Sequence, residues 1–262
     1  MFTWRHFVWL AICAIVVVLL VLAYKKKKPT LQQVLTSACV ICVLSELTKV
    51  FSVIKLVPSA DGSIIYPYIP TNHLPLHMCS IQILLIFYVR FTENKKFRET
   101  LLAFMYPTCL IGALLALAMP SIFTTSIPVE KAFVHPMAYQ FFLYHSMLIA
   151  LAFMIVMSKE IKWEKKHYYS SVITILVLGF VSLYVNSILA SPTYLNGELL
   201  HVDFWPNFFF TYQNPIGLHL TELWQWHLYL IIIIILAFIL LGICYLRLLR
   251  KKKYQRRLLC LF

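Results

Sequence analysis

Seven apolar stretches run through the chain, at 7–24, 31–56, 74–91, 98–119, 137–158, 168–190 and 222–246. No other feature restricts the fold so strongly. A hydrocarbon core of about 30 Å needs roughly 20 apolar residues per helix. Backbone N–H and C=O groups find no partner in lipid, so a spanning segment must be a helix or part of a closed barrel. The runs are too long for barrel strands and do not alternate. Only 13% of the 262 residues are charged and mean hydropathy is +0.80, against about 25% charged in soluble domains. The expected fold is all-α: a polytopic membrane protein whose residues 1–262 form a single seven-helix transmembrane domain, with a basic cytoplasmic tail at 247–262.

The cations then set the orientation. Lys25–Lys28 follow the first span. Arg90, Lys95, Lys96 and Arg98 follow the third. Lys159, Lys162, Lys165 and Lys166 follow the fifth, and Arg247, Arg250, Lys251, Lys252, Lys253, Arg256 and Arg257 follow the seventh. With seven spans, these 19 of 23 Lys and Arg residues all fall on one side, and the positive-inside rule places the N-terminus outside and the C-terminus in the cytoplasm. A net charge of +13 would point to nucleic acid in a soluble protein. Here the basic residues sit between apolar spans, so the expected partners are membrane lipids. Anionic headgroups meet the cytoplasmic loops, no nucleic acid is bound, and the sequence names no protein partner. The location that follows is a cell membrane, read as a bacterial cytoplasmic membrane.

Heavy charge follows the first apolar run and no small-residue cleavage site appears, so a retained helix is expected there rather than a signal peptide. Seven cysteines show no paired CxxC sets, and Cys39 and Cys42 fall inside a span, where packing is the simpler role. The outer loops, 57–73, 120–136 and 191–221, are longer than the cytoplasmic ones and rich in Pro, aromatic and amide residues. The "FWPNFFFTY" stretch is too apolar to float in water and is expected to fold over the helix mouths or lie at the interface.

Polar residues converge at one depth. Glu46 and Lys49 lie in the outer half of span 2. His77, Cys79 and Gln82 lie in the first two turns of span 3, His145 about two turns into span 5, and Ser182 and Asn186 near the outer end of span 6. Glu222, Trp224, Trp226 and His227 open span 7. Ionisable groups are expensive in lipid and face a bundle interior or a cavity. Pro75 suits the first turn of span 3. The free amides and positive dipole end there could hold an oxyanion. Cys79 would sit about one turn in. His77, two residues before it, would point to nearly the opposite side of a regular helix, which leaves His145 as the better partner by depth. Glu46 could orient an imidazole or pair with Lys49. Each residue alone has a plain packing or interface role; their shared level points to a site.

The motif "LPLHMC" at 74–79 resembles the LPLHLC signature of the YwaF-like integral membrane family, which includes animal transmembrane protein 164. Glu46 ahead of the signature, His145 in "FFLYHSMLIAL", Asn186, and "NFFFTYQNP" from Asn207 to Pro215 follow the family order over helices 2 to 7. Helix 1 fits in length only. The family pattern has Tyr after the Asn, where this chain has Phe208. The resemblance implies a lipid acyltransferase with Cys79 as acyl-accepting nucleophile and His145 as its base.

The expected function is a membrane-embedded lipid acyltransferase or acyl hydrolase near the outer leaflet. Cys79 and His145 are catalytic, His77 or the helix 3 amides hold the oxyanion, and Glu46, Gln82, Asn186 and Asn207 bind substrate. The alternative is a transporter or permease subunit using buried Glu46, Lys49 and His145. A receptor is a third class, and helix 7 lacks a retinal-anchoring lysine. His201, Asp203, His219 and Glu222 offer metal ligands only as a loose HxxE, so no metal and no cofactor is expected.

Overall fold

The computed structural model describes residues 2–59, 61–195, 198–203, 207–212 and 220–259. Side chains at 124–125, 194–195, 198–203 and 250–259 lie outside that description. Among the described residues, six long helices and one shorter one carry the chain: α1 (Trp4–Lys27), α2 (Leu31–Val53), the shorter α3 (Met78–Phe91), α4 (Lys95–Ala118), α5 (Pro136–Met157), α6 (Lys165–Leu189) and α7 (Leu223–Leu259). All but α3 are long and apolar enough to cross a membrane. The protein is therefore an all-α, multi-pass membrane protein in a lipid environment.

Local chemistry sets the helix starts. The Thr30 hydroxyl accepts from the Gln33 amide, and Gln33 reaches back to the Thr30 amide, a capping box for α2. Asn94 caps α4 through the Phe97 amide. Pro136 stands at the first position of α5 behind a His135 cap.

Three expected boundaries move. The third helix starts at Met78 rather than Leu74. Leu74 precedes a proline and is held extended, with φ −59° and ψ 145°. The Leu76 amide then donates back to the Leu74 carbonyl at 2.8 Å, which turns the chain before the helix can begin. Pro75 is thus in a turn, not in a first helical turn. The second helix stops at Val53, because Lys55–Pro58 leave it as a strand, β1, paired antiparallel with β2 (Ile65–Tyr68). The turn between them contains Gly62 at φ +73°, a conformation glycine adopts without strain. A second hairpin, β3 (Ser191–Leu195) with β4 (Glu198–Asp203), follows α6. The seventh helix continues to Leu259, so the basic tail is helical through that residue, as expected of good helix formers such as Lys, Arg and Leu.

The chain clusters into two compact units. The first comprises Met1–Ile69 and Cys79–Lys162. Its centre is α5, the most buried of the long helices, packed on α1, α2 and α4, with Tyr139, Leu143 and Phe153 left exposed. Small residues Ala138, Ser146, Ala150 and Ala152 let neighbours approach closely. Trp9 of α1 stacks on Phe142 with centroids 4.7 Å apart and donates its indole N–H to the Ala132 carbonyl. At the end that carries the basic clusters, Arg98 pairs with Glu160 and also donates to the Val89 carbonyl, tying the ends of α3 and α4 to the loop after α5.

The second unit comprises Pro70–Met78 and Trp163–Phe262. Its helices α6 and α7 meet through Ser171 and Tyr245, whose hydroxyls lie 2.7 Å apart.

Candidate functional site

The late start of α3 changes the setting of Cys79. As the second residue of the helix it lies in the first turn rather than one turn inside. The first four amides of a helix have no intrahelical acceptor. At 14 residues, α3 is about 21 Å long, shorter than the hydrocarbon core of about 30 Å.

A hydrogen bond sets the level of Cys79 in the first unit. The Tyr144 hydroxyl donates to the Cys79 carbonyl at 2.7 Å. Tyr144 is the ninth residue of α5, about 12 Å below that helix's outer end. The first turn of α3 is therefore level with the third turn of α5. His145 is next in sequence, about 1.5 Å further along the axis. Its Nδ1 lies 2.6 Å from the Phe141 carbonyl, and its ring packs on that of Phe141 with centroids 4.4 Å apart. A carbonyl can only accept, so Nδ1 carries the proton. In the neutral ring the basic lone pair is then on Nε2. Cys42, Cys79, Cys109 and Glu46 all lie within electrostatic range of the Tyr144 hydroxyl. Neither Tyr144 nor Cys109 stood out in the sequence, where Cys42 had only a packing role. The available signal was a hydroxyl in a largely apolar helix, directly before His145.

Glu46 and Lys49 neutralise each other, with Nζ to Oε2 at 2.7 Å. Gln82 is fully buried between α3 and α4. It donates to Thr108 Oγ1 at 3.0 Å and accepts from the Cys109 thiol at 3.3 Å. Its amide holds two helices together. Ser45 and Gln140, also unremarked in the sequence, join α2 to α5 through a 2.7 Å hydrogen bond.

The second unit holds the other expected residues. His77 has Nε2 3.3 Å from the Asn72 carbonyl, and its ring meets Phe208 edge-on at 4.7 Å. Because His77 precedes the helix, the expectation that it faces away from Cys79 on a regular helical turn does not apply. Asn186 is fully buried and closes on the loop after β4. Its Nδ2 donates to the Phe208 carbonyl (3.0 Å) and Thr211 Oγ1 (2.8 Å), while its Oδ1 accepts from the Phe208 amide (3.0 Å). Asn207 Oδ1 accepts from the Tyr212 amide at 3.1 Å. The Asn207–Tyr212 stretch is thereby pinned to α6, with Phe208 buried and Phe209 and Phe210 at positive φ. Tyr212 donates its hydroxyl to the Leu183 carbonyl, and Tyr229 of α7 donates to the Phe210 carbonyl. Both asparagines brace this loop.

Of the loose metal-ligand set, His219 lies outside the described residues, as do the side chains of His201 and Asp203. No cluster of three or more metal-ligating side chains occurs among the described residues.

No curated protein and no solved structure matches the chain. The model of the TMEM164 family matches residues 1–245, from helix 1, where the sequence resemblance rested on length alone, into the seventh helix, and the chain belongs to the TMEM164 family.

Proposed function

We propose that this protein is a lipid acyltransferase or acyl hydrolase with Cys79 as nucleophile and His145 as general base and acid. His145 Nε2 takes the thiol proton as Sγ attacks the carbonyl carbon of a glycerolipid ester. The carbonyl oxygen becomes an oxyanion that the first-turn amides of α3, without intrahelical acceptors, can stabilise. Collapse breaks the bond to the glycerol oxygen. That oxygen takes the proton from His145 and leaves as a lysolipid hydroxyl, with the acyl group held as a thioester on Cys79. A second lysolipid hydroxyl or a water then gives its proton to His145 and attacks the thioester, releasing the thiol.

The observation that carries the reading is the Tyr144–Cys79 hydrogen bond. It holds the first turn of α3 at the level of His145 on α5, which in this reading lets the thiol and the imidazole share one site. The host bilayer in this reading is a bacterial cytoplasmic membrane whose anionic lipids meet the basic cytoplasmic clusters.

The test is turnover of fluorescent phospholipid by the purified chain in proteoliposomes. Cys79→Ser loses turnover and thioester formation while inserting and folding normally. His145→Gln lowers turnover by about 100-fold or more, the scale of a lost general base. Undiminished turnover in Cys79→Ser refutes the reading.

A further inference from the structure

Between α2 and α5 lies an open groove of about 480 Å³, within the roughly 300–1,000 Å³ range of small-molecule sites. We infer that this groove binds one glycerophospholipid of the outer leaflet, with its ester on the Ser45–Gln140 pair and its acyl chain running inward along Ile41, Leu44 and Leu143. The proposal rests on the lipid chemistry proposed for Cys79, and it names the route by which substrate enters.

Three observations support it. The groove walls are apolar and open at membrane depth, with Leu44 59% and Leu143 41% exposed. At that depth the surrounding medium is lipid, so the occupant of an open apolar groove is an acyl chain. The lining is also ordered along the membrane normal as an amphiphile is. The helices are antiparallel and the Ser45–Gln140 bond sets their register. Thr48 and Pro136 stand at the outer mouth, Ser45 and Gln140 one to two turns below, and Ile41, Leu143 and Tyr144 deeper. Among the described residues, the Ser45 hydroxyl proton and Gln140 Oε1 have no protein partner, and the hydroxyl proton can be donated to an ester carbonyl. Finally, Tyr144 lines the groove and hydrogen-bonds the Cys79 backbone. A lipid seated there has its ester about one helical turn from the level of the nucleophile.

The test is photolabelling of full-length Cys79→Ser protein in vesicles, with phosphatidylethanolamine carrying a diazirine and an alkyne on one acyl chain, and the labelled peptides mapped. This background removes turnover, so occupancy is read apart from chemistry. Label concentrates on Ile41, Leu44 and Leu143 over the lipid-exposed Ile231 and Ile235 of α7. Leu44→Trp, which fills the groove, abolishes the enrichment, and Ser45→Ala reduces it about fivefold, the scale of one hydrogen bond. Even labelling of all exposed apolar helix faces overturns the proposal, as does enrichment that survives Leu44→Trp. Equal labelling by the matching free fatty acid overturns the commitment to a glycerophospholipid. The two readings fail separately. Groove labelling with Cys79-independent turnover removes the nucleophile and leaves the groove; Cys79-dependent turnover that Leu44→Trp does not alter removes the groove and leaves the nucleophile.

Discussion

Replacing Asn186 by leucine, similar in volume, removes the clasp between α6 and the Asn207–Tyr212 loop without opening a cavity. The cost follows from which partners keep an alternative. The Phe208 carbonyl retains the Thr211 hydroxyl at 3.2 Å, and that hydroxyl retains Ser182 at 3.2 Å. The Phe208 amide has Asn186 Oδ1 as its acceptor and is left buried without it. An orphaned buried amide costs about 1–3 kcal/mol. The two weakened bonds add about 0.6 kcal/mol each, the average for side-chain hydrogen bonds within membrane proteins. The total expected is about 2–4 kcal/mol. Thr211→Val leaves the Phe208 amide paired and costs one Asn186 Nδ2–H its hydroxyl partner, so about 1 kcal/mol is expected. Reversible unfolding in mixed SDS–dodecylmaltoside micelles, followed by tryptophan fluorescence, measures both. If Asn186→Leu costs no more than Thr211→Val, the Phe208 amide is not the determining group and the argument fails. If Asn186 instead binds substrate, the leucine variant loses turnover at unchanged stability.

Gln82→Met keeps the volume and removes both hydrogen bonds to α4, so stability falls by about 1–2 kcal/mol while the KM for lipid stays unchanged; a raised KM at unchanged stability would return Gln82 to the substrate. Tyr144→Phe deletes the bond to the Cys79 carbonyl and is expected to lower kcat about tenfold or more by loosening the first turn of α3, with folding intact by thermal melt; wild-type kcat would contradict this. In the β1–β2 turn, Asp61 accepts from the Ser59 hydroxyl at 2.5 Å, the Ser63 hydroxyl at 2.7 Å and the Ser63 amide at 3.1 Å. These bonds hold its carboxyl down at about 2 from an ordinary 3.8. A lowered acid pKa stabilises the closed turn above pH 3.8, and that contribution is lost as pH falls toward 2. Amide exchange at Ser63 should therefore be slow relative to an Asp61→Asn variant at pH 6 and converge with it near pH 2. A constant difference across that window would show that the carboxylate does not hold the turn.

Several features of the site were legible in the order of residues, and others were not, for identifiable reasons. Glu46 and Lys49, three apart on one helix, form the pair that local spacing allows. Cys79 and His145 were chosen by depth, and depth is readable from helix direction and the rise per residue. The start of α3 was misplaced because Pro75 suits a first helical turn, whereas the turn at Leu74–Leu76 took that stretch instead. Gln82 and Asn186 stood out as buried amides, but their partners Thr108, Phe208 and Thr211 lie 22 to 26 residues away. No periodicity within one helix reports such a pairing. Ser45, Gln140 and Tyr144 escaped notice because one uncharged polar side chain barely moves the average over a spanning run.

Hydropathy and charge are sums over neighbouring residues, and the bilayer acts on them locally. The residue order alone was therefore enough for a multi-pass helical chain and its approximate spans. Hydrogen bonds between helices are different. Each depends on the rotation and register of two elements, set by close packing around α5 and by loop geometry. Only the tertiary arrangement decided that Gln82 and Asn186 brace the structure, that Tyr144 meets the backbone of Cys79, and that α2 and α5 part to leave a groove.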